Sequence, residues 1–244
     1  MLRLFVPRAQ AEGARIRISG AELRHLRTLR LGRGERLVVF DEHGDEHQVR
    51  LERVGGHAAE AIILATHRPA RDSTLDLTLA PALLKGAKMD LVIEKATELG
   101  VRRISPVLSR HTLPQATPSG RLGRWRRIAL AATKQSGRTS GPAIEEPVPL
   151  EELIRRPWPG LRLMAWEGEP ETALPSLPGE AGSVVVLVGP EGGFAEQEVA
   201  AARVQGFTTL TLAPRILRAE TAALAAVVLC QHRWGDLSTA GRVR

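Results

Sequence analysis

Apolar and polar residues alternate in five short segments over residues 1–68, and Gly, Pro and Asp residues separate these segments. Alternation with a period of two is typical of strands that bury one face. The number and spacing of the segments predict a small β-barrel or sandwich. The predicted strands are 2–6, 14–18, 35–41, 46–54 and 58–64.

A short helix is predicted between the second and third of these strands, with Ser19 as its cap and 22–30 as its body. Its apolar stripe recurs every third residue and consists of Leu23, Leu26 and Leu29. Arginines with the same spacing occupy another face, and two more arginines lie nearby in sequence. These arginines are Arg3, Arg8, Arg24, Arg27 and Arg30. They indicate either a phosphate-binding patch or a solvated surface, and the sequence leaves both alternatives open.

Strands and helices alternate after a linker at 67–72, which predicts a domain boundary near residue 72. Such alternation is typical of a parallel sheet covered by helices. Residues 1–70 and 73–244 are therefore predicted to form separate domains. In the second domain the predicted strands are 75–79, 101–108, 161–166, 184–188 and 207–212. The predicted helices are 88–99, 121–135, 195–204 and about 222–234. The predicted connecting loops are 113–120 and 168–182.

Two strand-to-loop transitions near the C-terminus carry glycine and charged residues. Strand 184–188 is followed by the motif GPEGG at 189–193, and strand 207–212 runs into 213–222. In an open α/β sheet, ligands bind at the carboxyl ends of the strands, and glycine lets a ligand approach bare backbone. Glu191 repels a pyrophosphate, and no phosphate-binding lysine or GxGxxG motif is present. The two loops therefore predict a shared site for a neutral nucleoside or a cation.

The composition adds nucleic acid as an expected partner. The formal net charge is +7, and only four of the 34 basic residues are lysines. The arginine side chain pairs with phosphate through a planar fork of donors. Helix 121–135 and the loop after it contribute Lys134 and Arg138, either to an RNA contact or to a solvated face. Since aromatic residues make up only 3% of the chain, stacking on every base of a long single strand is not expected.

The single cysteine, Cys230, excludes a disulfide within the chain and suits a reducing cytoplasm. No Cys/His cluster predicts a metal site. No apolar run approaches the length of a membrane span, and residues 1–20 lack the apolar core of a signal peptide. We therefore expect a cytoplasmic protein with no metal and no membrane partner.

Six segments of the chain combine into a family pattern: 25–30, 85–101, 125–128, 135–138, 189–193 and 217–222. Their order and spacing closely resemble the RsmE family, whose members methylate N3 of a uridine in small-subunit ribosomal RNA. The resemblance covers nearly the whole chain. Each segment alone is a weak signal, whereas all six in order are specific.

The resemblance implies an α/β protein with a PUA-like β-barrel domain over 1–70 and a SPOUT-type knotted parallel-sheet methyltransferase domain over 73–244. It also implies a trefoil knot near the C-terminus, S-adenosylmethionine as the methyl donor, 16S rRNA or the 30S subunit as the partner, and a homodimer. Two positions depart from the family pattern. Ala195 stands where a Ser or Thr helix cap is usual, and Ala213 replaces a glycine; we expect both to be tolerated.

The expected cofactor site combines the two loops with this resemblance. The backbone of 189–193 and 212–217 is expected to hold the adenine and ribose, and the start of the last helix is expected to lie against the methionine end. The expected contacts are Leu187, Gly189, Glu191, Gly192, Gly193, Leu212, Ile216, Leu217, Thr221 and Ala222.

The expected reaction needs a proton acceptor, because uracil N3 carries an imide proton that has to leave. Three carboxylates are within reach of the loops, and the sequence does not choose among Glu167, Glu191 and Glu220. Arg218 is expected to stabilise the negative charge that develops on the base. The expected catalytic residues are Glu167, Arg218 and Glu220.

Two other functions stay open from the sequence. A non-catalytic RNA-binding assembly factor would have the same positive net charge and the same first domain. It would not require the glycine loop 189–193 together with the segment 217–222. A SPOUT enzyme that methylates ribose 2′-O shares both loops and differs in its product. A nicotinamide-dependent dehydrogenase requires a glycine fingerprint that is missing here.

Overall fold

The computed structural model describes residues 1–112, 120–169, 172, 176–177 and 179–237. Most of the predicted loop 113–120 and part of the predicted connector 168–182 lie outside the described residues. The chain forms two compact units. The first unit comprises Met1–Asp72 and Thr133–Gly141, and the second comprises Ser73–Ala132 and Pro142–Arg244.

The first unit is built on a six-stranded sheet with the strands β1 (Arg3–Phe5), β2 (Ala11–Glu12), β3 (Arg15–Ile18), β4 (Arg36–Phe40), β5 (Glu46–Val54) and β6 (Ala59–His67). Their order across the sheet is β1-β4-β5-β6-β3-β2, and only the pair formed by β1 and β4 is parallel. The five strands predicted from alternation are all present. Their inward side chains form one apolar core.

Helix α1 (Gly20–Thr28) closes this core with the buried side chains of Leu23 and Leu26. Ser19 occupies the N-cap position as predicted, but its side chain makes no capping hydrogen bond. The prediction that the helix runs to residue 30 was wrong. Arg30 adopts a left-handed φ of 56°, which ends the helix, and Leu29 is 48% exposed rather than part of the buried stripe.

The second unit is built on a parallel sheet, as the alternation predicted. Its strands are β7 (Asp76–Pro81), β8 (Arg103–Ile104), β9 (Val107–Leu108), β10 (Ala143–Ile144), β11 (Val148–Pro149), β12 (Leu161–Ala165), β13 (Ser183–Val188) and β14 (Thr208–Leu210). Six of them form a sheet in the order β10-β8-β7-β13-β12-β14, and β9 pairs with β11 separately. The helices are α2 (Ala87–Glu98), α3 (Arg121–Ser136), α4 (Leu150–Ile154), α5 (Glu196–Val204) and α6 (Ala219–Trp234).

Strand β13 lies inside this sheet and is buried on both faces. Val184, Val186 and Val188 belong to the core shared with α2, α3 and α6. Val185 and Leu187 belong to a second core on the opposite face, shared with α4 and α5. Burial on two faces explains the unbroken apolar run 184–188 in the sequence, because all five of its side chains are buried.

The prediction of one strand over 101–108 was wrong. The chain pairs through β8 with β7 and through β9 with β11, which belong to different sheets. Pro106 separates the two short strands, and proline has no N–H to donate to a ladder.

Helix α5 begins at an alanine cap, and the chain compensates for the missing hydroxyl. The backbone N–H of Ala195 donates a hydrogen bond of 2.9 Å to Oε2 of Glu198. The other oxygen, Oε1 of Glu198, accepts a hydrogen bond of 2.8 Å from the backbone N–H of Arg110. Glu198 therefore fixes both the start of α5 and the segment after β9.

Candidate active site

A cleft of about 380 Å³ lies where β12 and β13 end, beside the segment that follows β14. The GPEGG loop forms one wall and residues 211–219 form another, so the two predicted loops share one cavity. Carboxyl ends of neighbouring parallel strands meet at one edge of a sheet, which is why segments far apart in sequence converge here. Much of the lining is apolar: Ala165, Val188, Leu212, Leu217, Ala219 and Ala222.

Most of the residues expected in the site line this cleft. They are Glu167, Gly189, Glu191, Gly193, Leu212, Ile216, Leu217, Arg218 and Ala222. Four others lie beside it rather than in its wall. Leu187 is buried in the core below the loop, Gly192 lies against His111, and Glu220 and Thr221 belong to the first turn of α6.

Gly193 and Glu167 approach each other closely. Gly193 has a φ of +68°, which side chains rarely tolerate, and an added Cβ would overlap Oε1 of Glu167 and lie 3.2 Å from its carboxyl carbon. The carbonyl of Gly193 also lies 3.1 Å from Nδ1 of His111. The loop therefore presents bare backbone to the cleft and leaves room there for one carboxylate.

Lys88 of α2 joins the two walls of the cleft. Its Nζ lies 3.0 Å from Oε1 of Glu191 in the GPEGG loop and 3.4 Å from Oε2 of Glu220 in α6. Partial burial raises the pKa of Glu191, but hydrogen bonds from backbone amides and the charge of Lys88 outweigh it, so this pKa falls below its usual 4.5. The hydrogen bond and charge of Glu191 in turn raise the pKa of Lys88. Both groups are charged at neutral pH.

Glu167, Arg215 and Arg218 are the charged residues of the cleft whose side chains remain free for a ligand. All three are exposed, and none of their side chains has a hydrogen bond or ion pair in the part of the chain that the structure describes. Glu191 and Glu220, by contrast, share Lys88. The structure therefore distinguishes among three carboxylates that the sequence left equivalent.

Buried polar contacts hold the segment that carries Glu167. Oε2 of Glu169 accepts hydrogen bonds from Arg203 at 3.0 Å and from the hydroxyl of Thr209 at 2.5 Å. The guanidinium of Arg203 also lies 5.4 Å from the ring centre of Trp166. These contacts tie the end of β12 to α5 and β14, which fixes the backbone on both sides of Glu167.

The arginines and the lysine predicted to bind RNA lie in the first unit. They differ in solvent exposure and in whether they pair with a carboxylate of the same unit. Arg3 and Arg138 are largely buried and pair with Glu46 and Asp72. Nζ of Lys134 lies 2.7 Å from Glu22.

The remaining four are exposed. Arg8 lies 3.3 Å from Asp45, and Arg27 donates to the carbonyl of Gly55. Arg24 and Arg30 have no ion pair within the described residues. Four of the seven predicted RNA contacts thus carry ion pairs within the first unit, and those of Arg3, Lys134 and Arg138 are the less exposed ones.

Sequence reasoning missed several cleft residues. Trp166 follows β12 directly, so the rule that ligands bind at carboxyl ends of strands was a sufficient signal for it. Lys88 lies in the segment 85–101 that carried the resemblance, but no local signal shows that it faces a loop about a hundred residues away. The other missed residues are Ala165, Val188, Thr211 and Ala219, whereas Pro190, Ala213, Pro214 and Arg215 lie within the two ranges whose backbone was expected to hold the cofactor.

Within the described residues, no group of three or more His, Cys, Asp and Glu side chains is arranged to hold a metal ion. Across the same part of the chain, no helix combines the length and the apolar character needed to cross a membrane. Burial raises the pKa of the Cys230 thiol to about 12, so this cysteine is protonated at neutral pH.

Comparison with known proteins agrees with this geometry. Residues 71–231 match the family described as RNA methyltransferase domain. Ribosomal RNA small subunit methyltransferase E of a Synechocystis species is 31% identical over 230 residues, covering 90% of this chain and 74% of the relative. The protein of the same name from Aquifex aeolicus is 31% identical over 217 residues, covering 86% of this chain and 91% of the relative.

Solved structures give the same result. The crystal structure of ribosomal RNA small subunit methyltransferase E from Neisseria gonorrhoeae, bound to S-adenosylmethionine, superposes with a TM-score of 0.90 at 35% identity and covers 97% of this chain and 99% of that one. A Legionella pneumophila methyltransferase with the same bound cofactor superposes with a TM-score of 0.88 at 29% identity, covering 97% and 99%. The chain therefore belongs to the ribosomal RNA small subunit methyltransferase E family.

Proposed function

We propose that this protein transfers a methyl group from S-adenosylmethionine to N3 of a uridine in the 16S RNA of the small ribosomal subunit, in the cytoplasm. One observation carries the proposal: the GPEGG loop and the segment 211–219 line one cleft that holds an unpaired carboxylate. Family membership supports the RNA methyltransferase activity, and the resemblance described above supports N3 of uridine as the position.

The residues of the cleft fit a sulfonium nucleoside. Its volume of about 380 Å³ falls within the range of small-molecule sites. Apolar walls suit the adenine ring, and the Cβ-free backbone at Gly189 and Gly193 lets the ligand approach closely. The carboxylate of Glu167 suits the ribose hydroxyls or the cationic sulfur. The remaining proposed cofactor contacts are Leu187, Glu191, Gly192, Leu212, Ile216, Leu217, Thr221 and Ala222.

When bound, S-adenosylmethionine supplies an electrophilic methyl group. The protein has to orient the uracil, exclude water and accept the N3 proton. We assign proton acceptance to Glu167, because its carboxylate is exposed in the cleft and is not neutralised by Lys88. Glu220 is the alternative acceptor: its Oε2 is buried and makes no hydrogen bond among the described residues, although it lies 3.4 Å from Nζ of Lys88. Arg218 stabilises the negative charge on the uracil oxygens.

The deciding experiment incubates the protein with methyl-labelled S-adenosylmethionine and unmethylated 30S subunits, followed by nucleoside analysis. We expect the label on N3 of uridine. Label on a ribose would instead identify a 2′-O-methyltransferase. A protein that binds the subunit and fails to bind S-adenosylmethionine would be an assembly factor.

The replacement Lys88→Met is expected to weaken S-adenosylmethionine binding roughly tenfold. Methionine keeps the unbranched shape of the side chain and is one atom shorter, but it leaves Glu191 and Glu220 close together without a counter-charge, so the two walls separate. Calorimetry with the purified protein measures the affinity. Lys95→Met is the matched control, because Lys95 also lies in α2 and pairs with two glutamates, Glu94 and Glu98. Equal affinities in the two variants would contradict the bridging role.

The replacement Arg30→Gly is expected to stabilise the first unit while weakening RNA binding. A left-handed residue costs about 1 kcal/mol when it is not glycine, so the melting temperature of a unit of this size rises by about 5 °C. The same change removes an exposed cation from the RNA contacts that we propose. Arg30→Asn controls for chain flexibility, because asparagine also tolerates this φ. RNA affinity that stays unchanged in both variants would remove Arg30 from the contact surface.

Finer features of the family are also part of the proposal. We propose that residues 1–70 form a PUA-like RNA-binding domain and that 73–244 form the methyltransferase domain, with α6 tucked through a trefoil knot. The hydroxyl of Ser73 donates a buried hydrogen bond of 2.7 Å to Oε1 of Gln231, which fixes α6 against the first residue of the second unit.

We further propose a homodimer. Helix α6 is apolar nearly all round, although one side of it remains partly exposed at Leu224, Ala225, Val228 and Leu229. A helix of this kind is normally covered on every side. Sedimentation analysis is expected to give the mass of two chains.

A further inference from the structure

The outer face of the sheet in the first unit carries three arginines in one row. Arg15 of β3 and Arg50 of β5 both lie opposite Ile62 of β6, and Arg36 of β4 lies opposite Arg50. Residues that pair directly across strands point to the same face of a sheet. Arg15, Arg50 and Arg36, here called the arginine row, therefore share the solvent face, and all three are exposed.

The arginine row is short of neutralising partners. Within the described residues, Arg36 and Arg15 have no ion pair, although Glu12 lies opposite Arg15 at the edge of the sheet. The nearest carboxylate to Arg50 is Glu52 at 3.7 Å, and both side chains of that pair are solvated. Arg36 faces Arg50 directly, and like charges in that arrangement destabilise a sheet.

The next row along the same strands is built differently. Arg17 of β3 and Arg53 of β5 both lie opposite Glu60 of β6, and Nη2 of Arg53 lies 3.7 Å from Glu60. A carboxylate thus stands between two arginines in that row. In the arginine row the equivalent position is Ile62, so the three positive charges remain available to an external anion.

We propose that the arginine row binds the phosphate backbone of an RNA helix. Neighbouring strands are about 4.8 Å apart, so the three cations span roughly 14 Å, which matches an extended polyanion better than a single small anion. The first unit contains only two aromatic residues, Phe5 and Phe40, whose rings pack against each other. Without a Trp, a Tyr or an unpaired Phe ring as a stacking platform, the surface suits a duplex backbone rather than unpaired bases. This inference rests on the proposed function for the identity of the substrate as RNA.

The test measures binding of the full chain to a short RNA duplex of arbitrary sequence and to 30S subunits over a range of salt concentrations. Each of Arg15→Gln, Arg36→Gln and Arg50→Gln is expected to reduce the slope of log affinity against log salt by about 0.9 on duplex. The triple variant is expected to bind the duplex at least about tenfold more weakly at physiological salt. Its melting temperature should not fall, because the replacements relieve repulsion between exposed charges.

Arg68→Gln is the matched control. Arg68 is exposed in the same unit, but it already pairs with Asp45 at 3.4 Å and donates to the carbonyl of His43, so its loss should leave the salt slope unchanged. A triple variant with the slope of Arg68→Gln would overturn the proposal, and so would an equal loss of affinity for unpaired RNA of the same length. Affinity for S-adenosylmethionine should be the same in every variant. Failure of the wild-type chain to bind any RNA would instead overturn the proposed function.

Discussion

The variant Gly193→Ala is expected to lose about 99% of its methyltransferase activity while remaining folded. The new Cβ overlaps Oε1 of Glu167, which is the end of a flexible side chain and swings aside. The fold tolerates that movement, but the carboxylate leaves its place in the cleft, and displacements of about 1 Å at a reacting centre cost on the order of a hundredfold in rate. Single-turnover methylation of 30S subunits measures the effect.

Gly206→Ala is the control for backbone strain. Gly206 also has a left-handed φ, of +80°, and lies in the same unit, but its nearest neighbour to an added Cβ is the guanidinium of Arg162 at 3.6 Å. Both variants pay a similar conformational cost, and only Gly193→Ala disturbs the cleft. Similar losses of activity in the two would show that strain, rather than the position of Glu167, is responsible.

The variant Glu167→Gln is expected to lower kcat/KM by about a hundredfold or more, in the range that a proton acceptor contributes. Glutamine keeps the size of the side chain and removes its negative charge. Calorimetry and single-turnover rates separate the two roles proposed for this carboxylate. If it accepts the N3 proton, the rate at saturating cofactor falls while the Kd for S-adenosylmethionine changes little. If it binds the cofactor, the Kd rises and the saturated rate recovers.

Glu196→Gln and Glu220→Gln serve as comparisons for this variant. Glu196 is an exposed carboxylate in the first turn of α5, so its replacement removes the same charge away from the cleft wall and should leave activity intact. Glu220→Gln tests the alternative acceptor. A larger loss of saturated rate in Glu220→Gln than in Glu167→Gln would transfer the role to Glu220.

Gly193→Ala and Glu167→Gln both test the carboxylate of Glu167 in the cleft, one through its position and the other through its charge. Gly193→Ala moves the carboxylate and keeps its charge, whereas Glu167→Gln keeps its position and removes the charge. Loss of activity in both, with Gly206→Ala and Glu196→Gln unaffected, requires a charged carboxylate at that place. This combination tests position and charge independently.

Periodicity in the sequence predicted the layers of the protein. The alternation over residues 1–68 indicates strands with one buried face, and the apolar run 184–188 indicates a strand buried on both faces. Both can be predicted because burial determines which side chains are apolar at successive positions of the chain. The element boundaries that were wrong depend on single residues. Pro106 interrupts the strand predicted over 101–108, and the left-handed Arg30 ends α1 early.

By itself the sequence determined the parallel sheet, the two glycine and arginine loops, and the residue types available for chemistry. Only the tertiary structure decided which charges are free. Lys88 neutralises Glu191 and Glu220 and leaves Glu167 unpaired, while Glu46 and Asp72 bind Arg3 and Arg138 and leave Arg15 and Arg36 exposed. The reason is physical: whether a charge serves stability or function depends on its partners within about 4 Å, and in these pairs the partners are between 43 and 132 residues away in sequence.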